Sequence, residues 1–159
     1  MEIWFLRHGE AVDKEEWKGN ESDRPLSPQG TERMERQAAV MASWKPALDR
    51  ILTSPLVRAE QTARIVARAL GLLEVLASDE RLLPGFGKRE LQSIVEENRS
   101  RKAVLLVGHA PDLSRVLSAC IGGGRVEMKT GGLARVELDS PDTVSGQLLA
   151  LLPQRLIAP

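Results

Sequence analysis

The chain has 159 residues, 42% of them hydrophobic and 28% charged, which fits one globular domain over residues 1–159 and leaves no room expected for a second. Its 22 basic and 22 acidic side chains cancel, so no overall field favours nucleic acid or a membrane surface, although a local cationic pocket stays open. A single cysteine excludes an internal disulfide, the apolar run Ile3–Leu6 is too short for a signal-peptide core, and no stretch approaches membrane-spanning length, so the expectation is a soluble, cytoplasmic protein.

Strand-like and helix-like segments alternate along the chain, the pattern of a doubly wound α/β sheet. The first strand is expected near Glu2–Arg7. The charged stretch Asp13–Arg24 reads as a solvated loop, in which Trp17 is a candidate for lining a substrate entrance. Ser27 and Pro28 pair an N-cap with a first-turn proline, and Met34, Ala38, Met41 and Ala42 follow as a helical stripe that should end before Pro46. Arg50–Thr53 reads as a short strand. Ser54 and Pro55 repeat the helix-start signal for a stripe of Leu56, Ala59, Ala63, Val66, Ala67 and Leu70, with Gly71 as its C-cap. A weaker helix is expected over Lys88–Asn98, with Leu91, Ile94 and Val95 inward, before the apolar strand Ala103–Val107. Pro111 opens a helix carrying Leu113, Val116, Leu117, Cys120 and Ile121, closed by Gly122–Gly124; Cys120 and Trp4 read as core. Leu133–Leu138 and Gln147–Leu152 have no helical signal between them and read as adjacent antiparallel strands.

The only two histidines, His8 and His109, each follow directly on a β-forming apolar run. That places both imidazoles at carboxyl ends of strands, where α/β proteins bind ligands. Two histidines alone do not make a zinc site, and neither an HExxH motif nor a Cys/His cluster accompanies them. A serine triad would need a GxSxG elbow, which is absent. Gly122–Gly124 and Gly131–Gly132 follow a helix and precede a strand, the wrong order for a phosphate-cradling loop. What remains is a histidine beside Arg7, with Arg58 expected one turn into a helix that begins just after a strand. Guanidinium forks of that kind match phosphate oxygens and neutralise their charge.

The strings LRHGEA (Leu6–Ala11), RPLSPQG (Arg24–Gly30), TSPLVRAEQTA (Thr53–Ala63) and LLVGHAPDLS (Leu105–Ser114) together resemble the histidine phosphatase superfamily, with its phosphoglycerate mutase-like fold. Within it, the short length is most similar to the SixA group of phosphohistidine phosphatases. The resemblance runs from residue 3 to about 138, and four separated motifs carry it. It implies a three-layer α/β/α sandwich on a mostly parallel sheet. It also implies that His8 is the nucleophile, transiently phosphorylated, that Arg7 and Arg58 hold the phosphoryl oxygens, and that His109 stabilises the transferring group. Arg7, Arg58, His109 and Ala110 would then bind substrate, Glu10 and Ala11 would orient the first loop, and neither metal nor other cofactor is required. The cationic neighbourhood is expected to hold His8 neutral and therefore nucleophilic.

One departure bears on substrate. Many members of the superfamily carry a glutamate general acid in a segment resembling LxE after the third strand; here the string is Leu82, Leu83, Pro84, with Glu80 or Asp79 as substitutes. Expelling an alkoxide at neutral pH needs a proton donor worth about a hundredfold to ten-thousandfold, whereas a protonated imidazole leaves a P–N bond easily. The expected partner is therefore a phosphorylated protein, phosphohistidine on a phosphorelay or phosphotransfer protein, with a small phosphate ester as the alternative substrate. The short segment between Arg58 and His109, with no lid insertion, fits a phosphate presented on a protein. A non-catalytic phosphoprotein-binding module is the contrasting class.

Overall fold

A computed structural model describes all residues, 1–159. Six strands form one sheet: β1 (Glu2–Arg7), β2 (Arg50–Thr53), β3 (Leu76–Ser78), β4 (Ala103–Gly108), β5 (Leu133–Ser140) and β6 (Thr143–Leu152), in the order β3-β2-β4-β1-β5-β6. The pairs β2/β3, β2/β4 and β1/β4 are parallel, while β5 is antiparallel to both β1 and β6. The sheet is thus mostly parallel, with an antiparallel hairpin on one edge.

Burial on both faces explains why β4 is a continuous apolar run. Every residue of Ala103–Gly108 is buried. Alternation divides β1 between two cores: Ile3 and Phe5 point to one, Trp4 and Leu6 to the other. The helices α1 (Pro28–Ser43) and α2 (Val57–Leu70) cover the Trp4 and Leu6 side through Met34, Ala38, Met41, Ala59, Ala63 and Val66. On the opposite face, α3 (Lys88–Glu97) and α4 (Asp112–Cys120) bring Leu91, Ile94, Leu113 and Leu117 against Ile3 and Phe5. The result is the three-layer α/β/α sandwich. Full burial of each such leucine or isoleucine stabilises the fold by about 1.5–3 kcal/mol before entropy is counted.

Local signals account for the start of α1 and the end of α2. The Ser27 hydroxyl accepts the Gly30 N–H at 2.9 Å, and Pro28 occupies the first turn of α1. Glycine is required at position 30 because a Cβ there would collide with the carbonyl oxygen of Glu10, so the first loop lies directly against the helix start. Gly71 closes α2 in the left-handed region at φ 69°, where it has no side-chain penalty.

The start of α2 differs from expectation. Ser54 is not its N-cap; the helix begins at Val57 behind Leu56. The backbone N–H of Ser54 extends the sheet pairing to the Val107 carbonyl at 2.9 Å, and its hydroxyl meets His109 and the Leu56 N–H, one residue short of the helix. Two short elements carried no readable period: the three-residue β3, and a four-residue helix α5 (Gln154–Ile157) that packs Ile157 into the α1/α2 core. No helix is long and apolar enough to cross a membrane.

Candidate active site

The parallel pair β1/β4 brings the two histidines together. Arg7 is the register partner of Gly108, so the residues that follow, His8 and His109, leave the sheet side by side. The backbone N–H of His8 donates to the Gly108 carbonyl at 3.1 Å. The imidazole centroids lie 5.2 Å apart, tilted at 55°. The chain leaves β1 through α1 on one face and β4 through α4 on the other, so a crevice opens between the two strand ends, as expected at a topological switch point.

His8 Nδ1 lies 2.7 Å from the Gly9 carbonyl oxygen. A carbonyl only accepts, so Nδ1 carries the proton and Nε2 keeps the lone pair. Thr62 Oγ1 accepts the Gly9 N–H at 3.0 Å and donates to the Arg58 carbonyl at 2.7 Å, tying the histidine loop to the first turns of α2. His109 Nε2 meets Ser54 Oγ at 2.8 Å, and the same oxygen accepts the Leu56 N–H at 3.3 Å.

Three arginines surround these rings. Arg7 Nη1 donates to the Met128 carbonyl at 3.0 Å, and Arg58 Nη1 donates to the Glu21 carbonyl at 3.0 Å. Arg24 Nη1 donates to the Val12 carbonyl at 2.7 Å, while its Nε and Nη2 bind the Glu21 carboxylate. Three buried nitrogens, Arg7 Nε, Arg58 Nε and His109 Nδ1, have no protein partner. Buried nitrogens of this kind next to fixed cations mark a site suited to an anion.

These side chains line a cleft of about 370 Å³ together with Glu10, Ala11, Pro84, Ala110 and Thr130. A cleft of similar volume at the opposite end of the sheet, beside Trp44 and Lys102, contains no histidine, and its Arg135 is paired with Glu2 and stacked on Trp4. Nowhere do three His, Cys, Asp or Glu side chains converge in a way that could hold a metal ion.

His8 is pushed down to about 4, first by burial and then by Arg58, Arg7 and Arg24, against the opposing Gly9 carbonyl. His109 is pushed down to about 3 by burial, then by His8 and the arginines. Both rings are neutral at pH 7, but the order of causes differs from the sequence expectation: desolvation leads and the cations add to it. Burial likewise pushes the thiol of Cys120, a core residue of α4, up to about 11.

All five residues named from the motifs, Arg7, His8, Arg58, His109 and Ala110, line the one cleft. Pro84 also lines it, in the segment where the resemblance implies a general acid. The two substitutes do not. Asp79 accepts from the Arg81 backbone and guanidinium, which holds its carboxyl below the usual range, and neither Asp79 nor the exposed Glu80 faces the cleft. Trp17 is also absent from the lining; its indole N–H donates to the Asn20 carbonyl at 2.8 Å. The same loop instead supplies Arg24, which the motif RPLSPQG contained without any role being legible. The one carboxylate in the lining, Glu10, is paired with Arg33 at 2.6 Å.

This geometry agrees with relationships over most of the chain. The phosphohistidine phosphatase SixA of Escherichia coli (strain K12) is 29% identical over 148 residues, covering 87% of this chain and 86% of that protein. An uncharacterized protein of Picosynechococcus sp. (strain ATCC 27264 / PCC 7002 / PR-6) is 33% identical over 129 residues, covering 77% of this chain and 74% of its own length. The solved structure of the protein histidine phosphatase SixA complexed with tungstate superposes with a TM-score of 0.87 at 24% identity, covering 99% of both chains, and shows a shared fold. The family model of the histidine phosphatase superfamily (branch 1) matches residues 3–83, just over half the chain and the stretch that supplies Arg7, His8, Arg24 and Arg58. The chain is therefore a member of the histidine phosphatase superfamily.

Proposed function

We propose that the chain, acting as a single domain over residues 1–159, is a metal-independent phosphatase that works through phosphohistidine on His8. Its preferred substrate in this reading is phosphohistidine on a protein, such as a phosphorelay or phosphotransfer protein in the cytoplasm. The observation that carries the reading is the tautomer of His8: with Nδ1–H on the Gly9 carbonyl, the Nε2 lone pair is the one left to attack.

In the first step Nε2 forms a bond to phosphorus as the bond to the leaving group breaks in line, and the leaving imidazole takes up a proton from solvent. Arg7 and Arg58 neutralise the equatorial oxygens, whose charge grows in a loose transition state. In this reading Ser54 Oγ donates to Nε2 of His109, which leaves the His109 proton on Nδ1, the buried ring nitrogen without a protein partner, for a phosphoryl oxygen. Water then attacks phosphorus, the N–P bond breaks, its electron pair returns to Nε2, one proton of the water stays on the departing hydrogen phosphate, and the other goes to solvent, balancing the proton the leaving imidazole took up.

The preference for phosphohistidine rests on the proton inventory of the cleft. Pro84 has no proton to give, Asp79 and Glu80 lie outside, and Glu10 is engaged by Arg33. A leaving group that needs little help from a protein acid is favoured in such a site. A small phosphate ester is the second reading, favoured by a cleft of about 370 Å³, which falls in the range of small-molecule sites. A non-catalytic binding module would need the arginines but not an oriented nucleophile, so the fixed His8 ring speaks for turnover. A panel of a phosphohistidine protein, an aryl phosphate and sugar phosphates tests the choice. The phosphohistidine protein should be turned over fastest; faster hydrolysis of sugar phosphates would move the function to small esters.

A further inference from the structure

One carboxylate reaches two of the three arginines in the cleft. Glu21 Oε2 accepts from Arg24 Nε at 3.0 Å, and Oε1 accepts from Arg24 Nη2 at 2.9 Å and lies 3.3 Å from Arg58 Nη2. The Nε–H and one Nη2–H of a guanidinium lie along the same edge, the fork that takes two oxygens of a phosphate. In Arg24 that edge is fully engaged by Glu21. In Arg58 it is half engaged: Nε has no protein partner, and Nη2 has the looser contact to Glu21. The far side of Arg58 is secured independently, since Nη1 donates to the Glu21 backbone carbonyl, which is present whatever side chain stands at residue 21.

We infer that Glu21 is an internal competitor of the phosphoryl group, its carboxylate holding the guanidinium edges of Arg24 and Arg58 that a bound phosphate would take. This rests on the phosphatase reading of the cleft. The geometry is suited to exchange. The arginine side chains are 15% and 7% exposed, but Glu21 approaches from solvent at 48% exposure, on a single 3₁₀ turn, Glu21–Asp23, that buries no residue. Displacing the carboxylate therefore disturbs no core packing. The hydrogen bonds from Arg24 also hold its carboxyl below the usual range, so it competes as an anion at neutral pH. The consequence is a cleft that holds inorganic phosphate less tightly than its three arginines otherwise would, which favours product release.

The test is isothermal titration of inorganic phosphate into the wild-type chain and into Glu21→Gln and Glu21→Ala, with steady-state hydrolysis of an aryl phosphate in parallel. Both variants should bind phosphate about threefold to tenfold more tightly, the scale of one partly exposed ion pair, with KM falling in step and kcat not rising. In an Arg24→Ala background the gain from Glu21→Gln should shrink. Unchanged or weaker phosphate binding in both variants overturns the inference, the weaker result meaning that the carboxylate positions the arginines rather than competing for them. If phosphate binds and tightens as expected but no protein turns substrate over, the phosphatase reading fails and the competition stands. If neither wild type nor variants bind phosphate, both fall.

Discussion

His8 and His109 stand one residue beyond the register pair Arg7 and Gly108, and their ring centroids are 5.2 Å apart. A parallel pairing of β1 with β4 in any other register would separate the rings by a strand repeat of about 3.3 Å per residue. The site is therefore built by strand register first, and by loops second. The arginines arrive from three further positions: Arg7 at the end of β1, Arg58 on the first turn of α2, and Arg24 from the loop before α1.

Arg58→Ala and His109→Ala should each lower kcat/KM by about a hundredfold or more, because each removes charge stabilisation of the transferring group. Far-UV circular dichroism should show the fold retained. A variant with near-normal kcat/KM would remove its residue from the site.

The pH profile follows from burial of the histidines. With His8 held near 4, the fraction of free protein carrying a neutral nucleophile stays high down to about pH 5, where an ordinary histidine near 6.5 is almost wholly protonated. After correction for substrate ionisation, kcat/KM should fall only as the pH approaches 4. An acidic limb centred near 6.5 would contradict the buried, neutral ring. Stability carries the same sign. Both histidines take up protons near 6.5 when unfolded but only near 4 and 3 when folded, so the unfolded state binds more protons between those values and stability falls as pH drops from about 6.5. The carboxylates held low by arginines, Glu21, Asp79 and Glu97, add their own loss in a lower window, beginning near their unfolded values of 4.5 and 3.8. A melting temperature that is flat from pH 7 to 5 would argue against the first contribution.

Thr62→Val should separate positioning from binding. Valine keeps the shape but leaves the Gly9 N–H without the hydroxyl it meets at 3.0 Å, in a residue that is fully buried. A loss of about 1–3 kcal/mol in urea unfolding is expected, with kcat lowered about tenfold as the His8 loop loosens against α2. Thr62→Ser should restore most of both. If valine leaves kcat untouched, the bridge is structural only.

Pro84→Glu places a carboxyl in the lining of the cleft, where proline now stands. Hydrolysis of alkyl phosphates should rise selectively, by about tenfold or more, with little change for phosphohistidine protein or aryl phosphates. The neighbouring Gly85 N–H remains tied to Asp112 at 2.7 Å, which helps the loop tolerate losing the fixed φ of proline. Equal gains across all substrates would show that the lack of an acid does not set the preference.

The parts of the fold that were readable from the chain are those governed by local chemistry. Ser27 and Pro28 start α1, Gly71 ends α2, and the unbroken apolar run Ala103–Val107 marks a strand buried on both faces. The motif arginines and histidines were readable because each sits at the end of such an element. What was not readable depends on partners distant in sequence. Ser54 carries a helix-start signal but stays on the sheet edge, its N–H on the Val107 carbonyl and its hydroxyl beside His109, and Asp79 is removed from the acid role by Arg81 and by facing away from the cleft. Arg24 and Glu21 have no periodic signature at all, since their meaning arises only when the loop folds over Arg58. β3 and α5, at three and four residues, are too short to show a period.

The central claim is that the phosphoryl group passes through Nε2 of His8. It is tested most directly by rapid quenching of the protein with ³²P-labelled substrate, followed by base-stable, acid-labile label mapping and mass spectrometry of the peptide containing Leu6–Ala11. The account predicts label on His8 at Nε2 that turns over on chasing with unlabelled substrate, and neither label nor turnover in His8→Ala. Label that persists elsewhere in His8→Ala, together with continued hydrolysis, would contradict it.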